Sequence, residues 1–403
     1  MKKLQVEGWK VEKLGNVVEF QRGLTYSKKD EVVESSNIVL RANNVDLNTN
    51  MLDFTELKYI KESIEIPKEK IVTKGSLIIC TASGSKSHLG KVALIDDNYG
   101  YAFGGFMGQI TPKQNLDSKF LFYRMISDEY KDFISKLSDG ANINNLRFND
   151  LAEFEIPVPP LPEQQRIVTL LDETFAGLAQ VHANAERNLL NAREVFEAAT
   201  NEIFGNPGEE WEEKTIEDIA DIEYGYTDKA KSSGKFRYIR ITDIDKNGNL
   251  IPEDKMYVGN FKEADNFLLQ DGDLLMARTG ATFAKVLLYE DFEPSVFASY
   301  LIRIKFSEKI LNKLYWYFSK SKLYWDQANQ LSSGSAQPQF NGGALKQVVF
   351  PYPKSLEEQR AIVQRLDGLA AETSRLEAVY QSKLEAVEEL RKSVLGKAFA
   401  GGL

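Results

Sequence analysis

Ser83-Gly-Ser-Lys-Ser-His-Leu-Gly-Lys91 follows a short apolar run, Leu77–Cys80, and invites a phosphate-loop reading. A glycine-rich turn after a strand can cradle phosphates, with a lysine reaching the outer ones and a Ser or Thr on magnesium. Here the spacing is wrong: five residues lie between Gly84 and Gly90 instead of four, and Val92 stands where the magnesium ligand belongs. The counterpart further along, Arg278-Thr-Gly-Ala-Thr-Phe-Ala-Lys285, has lost the second glycine. Glu253-Asp-Lys255, with Asp243 or Asp245 upstream, has the composition of a nuclease carboxylate cluster, but the matching Thr55-Glu-Leu-Lys58 has no partner set. Two histidines, His88 and His182, and one cysteine, Cys80, are too few for a zinc site or a disulfide framework. His182 reads as a helix packing residue and Cys80 as an inert thiol ending a buried strand. No methyltransferase Asn-Pro-Pro-Tyr motif, dinucleotide loop or histidine-based constellation is present, so no catalytic residue and no metal ligand is assigned.

What remains is chemistry suited to recognition. Ser83, Ser85, Lys86, Ser87 and His88 at one tip, and Arg278, Thr279 and Thr282 at the other, can meet phosphates and base edges, or simply close a hairpin. Asn142, Asn144 and Arg147 lie in Gly140–Asn149; Gln337, Gln339 and Asn341 lie in the equivalent Gly334–Asn341. Asn and Gln can pair bidentately with adenine and Arg with guanine, while the alternative is amides that cap nearby backbone. Arg41, with Asn43 beside it, matches Arg240 in the other half, and a repeated buried salt bridge competes with a DNA role. Lys229 and Lys231 add charge to the second half. Tyr26, Tyr224 and Tyr226 flank paired glycines and could contact sugars or bases, but most of the 17 tyrosines read simply as core or rim.

The elements that must position these residues occur twice. Ile156-Pro-Val-Pro-Pro-Leu-Pro-Glu-Gln-Gln-Arg-Ile-Val-Thr-Leu-Leu-Asp172 returns as Phe350-Pro-Tyr-Pro-Lys-Ser-Leu-Glu-Glu-Gln-Arg-Ala-Ile-Val-Gln-Arg-Leu-Asp367. Looser anchors precede each copy, among them Trp9 with Trp211, Gly23-Leu-Thr with Gly225-Tyr-Thr, and Gly75-Ser-Leu with Gly272-Asp-Leu. So long a repeat implies two homologous domains, each with its own helix. Leu77–Cys80, Val92–Ile95, Leu274–Ala277 and Val286–Tyr289 read as strands, and Lys119–Ile126 and Ile310–Phe318 as helices, so each half is α+β.

Beyond each repeated segment the apolar spacing is 3–4, the seam of a coiled coil. It passes through Leu171, Leu178, Leu189 and Phe196 in the first helix, and through Leu366, Leu369, Leu376, Tyr380, Val387 and Leu390 in the second. Pro162 suits a first helical turn, and Ser355-Leu-Glu-Glu358 spells a capping box. About 40 residues at 1.5 Å each make a rod of about 60 Å, whose natural partner is the other, antiparallel, rod. The predicted layout is a globular domain over 1–160, a helical region over 161–205, a second globular domain over 206–354 and a second helical region over 355–403.

The net charge of −9 belongs to the helices and the connector. Glu163–Phe204 carries −4, Glu357–Leu403 −1 and Gly205–Glu213 −4, leaving the globular halves near zero. Neutral domains can still present basic faces. No apolar run approaches a membrane span and no signal peptide follows the N-terminal lysines, so a cytoplasmic location is expected.

In this order of parts, the chain resembles the specificity subunits of Type I restriction–modification systems. The resemblance rests on Pro157–Asp172 and Pro351–Asp367, the Gly272–Gly280 run, and the ending Leu390-Arg-Lys-Ser-Val-Leu-Gly-Lys-Ala-Phe-Ala-Gly-Gly-Leu403. It implies two α+β target-recognition domains separated by two long helices in an antiparallel coiled coil, with pseudo-twofold design. Each domain would read one half of a bipartite double-stranded DNA site, and the helices would set the spacer and dock two modification subunits. Restriction subunits would join that core. S-adenosylmethionine, ATP and magnesium would sit on the partners, with no cofactor in this chain and no catalysis by it. The competing reading is a pseudo-symmetric coiled-coil adaptor whose globular halves bind proteins.

Overall fold

Short apolar runs become strands, and the 3–4 patterned segments become two helices far longer than any other element. The computed structural model describes residues 8–47, 49–85, 88–139, 145–245, 247–332 and 339–403. Its contacts divide into two compact units, Met1–Asn184 with Lys383–Leu403, and Ala185–Ser382.

The first unit holds β1 (Lys10–Lys13), α1 (Leu14–Val17), β2 (Val18–Arg22), β3 (Glu31–Val32), β4 (Asn37–Leu40) and β5 (Lys58–Ile60). It continues with β6 (Leu77–Cys80), β7 (Val92–Leu94), β8 (Ala102–Phe103), β9 (Met107–Pro112), α2 (Ser118–Arg124), α3 (Asp128–Asp139), α4 (Phe148–Leu151) and β10 (Glu155–Val158). The first half of α5 (Leu161–Gly205) closes it. The second unit runs β11 (Trp211–Thr215), α6 (Ile216–Ile219), β12 (Ala220–Tyr224), β13 (Phe236–Ile239), β14 (Tyr257–Val258), β15 (Leu274–Ala277), β16 (Val286–Leu288) and β17 (Ser295–Phe297). There follow β18 (Leu301–Phe306), α7 (Asn312–Phe318), α8 (Lys322–Leu331), α9 (Gly342–Lys346), β19 (Val349–Pro353) and the first part of α10 (Leu356–Phe399).

One topology is used in both units. An antiparallel sheet in the order β2-β9-β6-β7 is matched by β12-β18-β15-β16, and the two-stranded β1-β10 by β11-β19. A second sheet contains a parallel pair, β4 with β8 in the first unit and β13 with β17 in the second. The repeated glycine at the end of the leading strand marks a close backbone approach. A Cβ on Gly23 would lie 2.0 Å from the Gly104 carbonyl oxygen, and one on Gly225 2.3 Å from that of Ala298.

The repeated segment at the head of each long helix proves to be structural. Its shared pattern is Gln-x-x-Ile-Val-x-x-Leu-Asp, residues 164–172 and 359–367. Gln164 and Gln359 have no exposed surface. The Gln164 amide donates to the carbonyls of Asn115 (3.0 Å) and Pro159 (2.8 Å), and its oxygen accepts from the Asp117 N–H at 2.8 Å. Gln359 repeats the arrangement with the carbonyls of Lys309 (3.0 Å) and Pro353 (2.8 Å) and the Leu311 N–H (2.9 Å). Buried backbone groups at a domain–helix junction need such partners, because leaving each unpaired costs about 1–3 kcal/mol. Two turns on, Asp172 accepts from the Tyr123 hydroxyl and pairs with Lys119, both at 2.6 Å, while Asp367 accepts from the Tyr317 hydroxyl and pairs with Lys313 at 2.9 Å. The helix heads differ in detail from a full capping box. Ser355 Oγ accepts from the Glu358 N–H at 3.4 Å, but the Glu358 carboxylate accepts from Trp211 Nε1 at 2.9 Å instead of reaching back to the helix start.

In each unit the long helices run antiparallel. Within the first, Arg166 donates to the Leu403 carbonyl (2.9 Å) and Arg391 lies 5.4 Å from the Phe175 ring centre. Within the second, Arg193 meets Glu377 at 3.3 Å and Arg365 meets Glu202 at 3.9 Å. Exposed ion pairs of this kind contribute little, so apolar packing holds the helices. Val168, Leu171, Leu395, Ala398 and Phe399 join the first core, and Phe204 and Leu366 the second. Leu178, Leu189, Phe196, Leu369, Leu376 and Tyr380 are half-buried and Val387 is buried. Leu390 departs from the expected seam: it is 49% exposed, and the buried stripe passes from Val387 to Leu395 and Ala398. The 3–4 choice at that turn falls on the positions facing the globular core.

Replacing the Gln359 amide should therefore destabilise the second unit without touching its surface. Gln359→Leu is expected to lower unfolding free energy by at least about 3 kcal/mol, from one N–H and two carbonyls left unpaired. Chemical denaturation followed by tryptophan fluorescence checks this.

Candidate nucleic-acid interface

Strand pairing decides which of the polar segments meet. Because β4 and β8 are parallel, Arg41 and the Gly104-Gly105-Phe106 turn leave their sheet at the same end. The ends of β2 and β6 flank the start of β9, with Arg22 opposite Gly108 and Cys80 opposite Met107. The Leu146 N–H then donates to the Thr81 carbonyl (2.6 Å), and Ala82 bridges Asn145. Ser83, Ser85 and Arg147 are thereby brought to one edge with Arg22, Arg41 and Phe106. The second unit repeats this convergence: Phe340 N–H donates to the Arg278 carbonyl (2.8 Å), Thr279 bridges Gln339, and Thr282 Oγ1 donates to the Ile241 carbonyl (3.3 Å).

Buried tyrosines hold both loops from beneath. The Tyr130 hydroxyl on α3 donates to the Gly90 carbonyl at 2.8 Å, and that of Tyr324 on α8 donates to the Ala284 carbonyl at 2.5 Å. Gly90 has φ +76°, and Ala284, which replaces it, keeps a left-handed φ of 59°. The hairpin conformation thus survives the loss of the glycine at a cost of about 1 kcal/mol.

On this common scaffold the two edges differ chemically. In the first unit the Arg41 N–H donates to Asn44 Oδ1 (2.8 Å), and Arg41 Nε is buried without a hydrogen-bond partner. In the second, Asp243 replaces Asn44; it accepts from the Arg240 N–H at 2.8 Å and pairs with the guanidinium at 2.6 Å. That hydrogen bond raises the Arg240 pKa further and compensates its charge. Conversely, the second unit has Arg278 where the first has Thr81. Arg278 lies 4.8 Å from the Tyr224 ring centre and donates through Nη1 to the Ser299 carbonyl at 3.0 Å. The Tyr224 hydroxyl is itself fixed, accepting from the Gly342 N–H at 2.9 Å. In the first unit the related position, Arg22, lies 5.9 Å from the Phe148 ring centre, which stacks on Phe20.

Other candidate positions fall elsewhere. Asn341 caps α9, its side chain accepting from the Ala344 N–H at 3.0 Å, and Asn43 is exposed beside the buried Asn44. Lys231 exchanges both backbone hydrogen bonds with Tyr257 on the outer side of β14, and Lys229 is exposed on the same connection. His88 is half-buried, and burial followed by the nearby Lys91 charge lowers its pKa. Lys86, Ser87, Asn142, Asn144 and Gln337 lie outside the described residues. Sequence reasoning missed Phe106, 74% exposed, and Tyr300, 57% exposed, which follow β8 and β17 at equivalent positions. The available signal was an aromatic after two small residues, Gly104-Gly105 and Ala298-Ser299.

Among the described residues no group of three or more His, Cys, Asp or Glu side chains is placed to hold a metal ion, and no helix is long and apolar enough to cross a membrane. The profile of the family described as Type I restriction modification DNA specificity domain matches residues 6–191 and again 208–386. The chain belongs to this family. Its two specificity domains correspond to the two repeats. Over 98% of its length it is 29% identical to the Type I restriction enzyme EcoKI specificity subunit of Escherichia coli K12, covering 89% of that relative. It is 28% identical to the StySPI specificity subunit of Salmonella potsdam, and to the MjaVIII specificity subunit of Methanocaldococcus jannaschii, again over 98% of this chain and over 89% and 93% of those relatives. A solved chain from work on complex assembly and conformational transition of the type I R-M system shares the fold, with TM-score 0.81, 18% identity and 99% coverage of both chains. The HsdS subunit from Thermoanaerobacter tengcongensis follows at TM-score 0.62, 18% identity and 98% coverage of both.

The contrast between the specificity domains gives a direct test. Asp243→Asn copies the arrangement around Asn44, so the turn should stay folded, with a stability loss of about 1–3 kcal/mol because the lost charge is buried while one capping oxygen is kept. Thermal unfolding of the variant beside the parent protein measures it.

Proposed function

We propose that this chain is the DNA-reading subunit of a Type I restriction–modification enzyme, each specificity domain recognising one half of a bipartite double-stranded site. The observation that carries this reading is the pairing of one scaffold with two unlike edges. Arg41, serines and Phe106 mark the first; Arg278 over Tyr224, Thr279, Gln339 and Tyr300 mark the second, and the Nε of both arginines is buried without a hydrogen-bond partner. Two different half-sites require that combination of common frame and divergent surface.

The edge residues have the means to read bases. A guanidinium can bond guanine O6 and N7 bidentately, and Gln can do so with adenine. Arg278 is held by an aromatic face and one carbonyl, so little side-chain entropy is lost on engaging DNA. Exposed aromatics such as Phe106 and Tyr300 can stack on sugars or bases. Two modest half-site affinities then combine through effective concentration when the spacing fits.

The long helices set that spacing and dock two modification subunits, with restriction subunits joining in the full complex. Apolar side chains left exposed along them, Val181, Leu190 and Val195 on α5 and Leu390 on α10, support a docking role. The chain reads and does not catalyse; S-adenosylmethionine, ATP and magnesium belong to its partners. It works in the prokaryotic cytoplasm, beside its DNA.

The target follows from methylation mapping of a genome expressing the chain with its modification partner. On that duplex, with the partner present, Arg278→Ala and Arg41→Ala should each weaken binding by about tenfold, within the 1–3 kcal/mol of a lost base contact. Arg240→Ala should weaken it less, because Asp243 already matches its charge. Fluorescence anisotropy at fixed salt measures all three, and equal losses would count against the assignment. Seven residues inserted into α5 should lengthen the required spacer by about three base pairs, since the helix gains about 10 Å. Methylation mapping of that variant should return both half-sites unchanged; altered half-sites would overturn the ruler.

A further inference from the structure

The contacts at the head of each long helix occupy two points on one rod. Gln164 grips the Asn115–Asp117 backbone ahead of α2, and Asp172 grips Lys119 and Tyr123 on α2 itself. Gln359 and Asp367 do the same ahead of and on α7. Eight residues separate the members of each pair, about 12 Å along the helix. A single polar contact fixes one point of a domain on its helix, and apolar packing such as that of the buried Leu171 or Leu366 is non-directional. Two directional contacts, spaced along the axis, fix the tilt. Both sets are identical in kind, whereas the reading edges of the same units have diverged, from Thr81 to Arg278 and from Asn44 to Asp243.

Resting on the function proposed above, we infer that Gln164 with Asp172, and Gln359 with Asp367, are positioning residues that set how strictly spacer length is read. The helices determine the nominal spacing, and the joints determine the tolerance around it. A specificity domain is about 40 Å across, so rocking by about 5° would shift its reading edge by about 3.4 Å, one base-pair step. A loose joint therefore admits a neighbouring spacer with the half-sites unchanged. Burial and the bond to aspartate raise the pKa of both tyrosines, so each stays protonated and donating throughout the physiological range.

The test is selection from a randomised duplex library by the full chain in complex with its modification partner. The parent protein should enrich two half-sites at one spacing. Asp172→Ala with Asp367→Ala should enrich the same half-sites, with sites one base pair longer or shorter gaining about tenfold relative to the native spacing. Asp172→Asn with Asp367→Asn keeps an acceptor for each tyrosine and should restore the single spacing. Should the alanine variant fail to fold, Tyr123→Phe with Tyr317→Phe removes one hydrogen bond per joint and must show the same broadening. A single spacing retained by the variants, with only the melting temperature lowered, overturns the inference alone. A parent selection without any bipartite pattern overturns the proposed function, and this inference with it.

Discussion

A buried side-chain amide at the first turn of each long helix is the contact on which the rest of this architecture depends. Where a globular domain runs into a helix, the backbone groups of the connecting turns are taken from water with no ladder to pair them. Gln164 and Gln359 each supply two donors' reach and one acceptor to such groups, from positions without exposed surface. No apolar residue can do this, and a charged one would incur a far larger desolvation cost. The repeat that dominates the primary structure is thus explained by the satisfaction of backbone polarity, with Asp172 and Asp367 completing the attachment two turns later.

Once that attachment is made, the two units keep one frame while their edges diverge. The sheet orders are the same in both units, the glycine close approach is kept at Gly23 and Gly225, and the buried tyrosines beneath the loops are kept at Tyr130 and Tyr324. At the edges, charge is redistributed. Asp243 compensates Arg240, whereas its counterpart Asn44 caps the same turn without a charge and leaves Arg41 uncompensated by it. Arg278 appears where the first domain has Thr81. One frame supports two unlike edges because the turns need only a capping oxygen, which the Asn44 amide and the Asp243 carboxylate both supply.

The long helices combine two demands on one rod. Their inward stripe closes the cores of both units, as Phe204 and Phe399 do at full or nearly full burial. Their outward face keeps apolar side chains in water, including Leu390, which spacing alone assigned to the seam. A 3–4 pattern leaves a choice of neighbouring apolar positions at each turn, and the core of the unit decides it. The capping box at Ser355 was half legible for a related reason: the Glu358 carboxylate was placed correctly in sequence, yet Trp211, distant along the chain, offered a donor.

By itself the sequence determined the class of molecule: two homologous α+β domains, two helices some forty residues long and the strands Leu77–Cys80 and Leu274–Ala277, all as found. These are readable because periodicity and repetition are local properties of the chain. Only the tertiary structure decided which polar residues share an edge. Arg41, Phe106 and Arg147 are far apart in sequence, and the parallel pairing of β4 with β8 and the bridge from Ala82 to Asn145 bring their segments together. Exposure of Phe106 and Tyr300, and the seating of Arg240 and Arg41 in their turns, depend on neighbours supplied by chain reversal and sheet register. Hydrogen bonds and burial are properties of position in space, and sequence spacing carries no record of them.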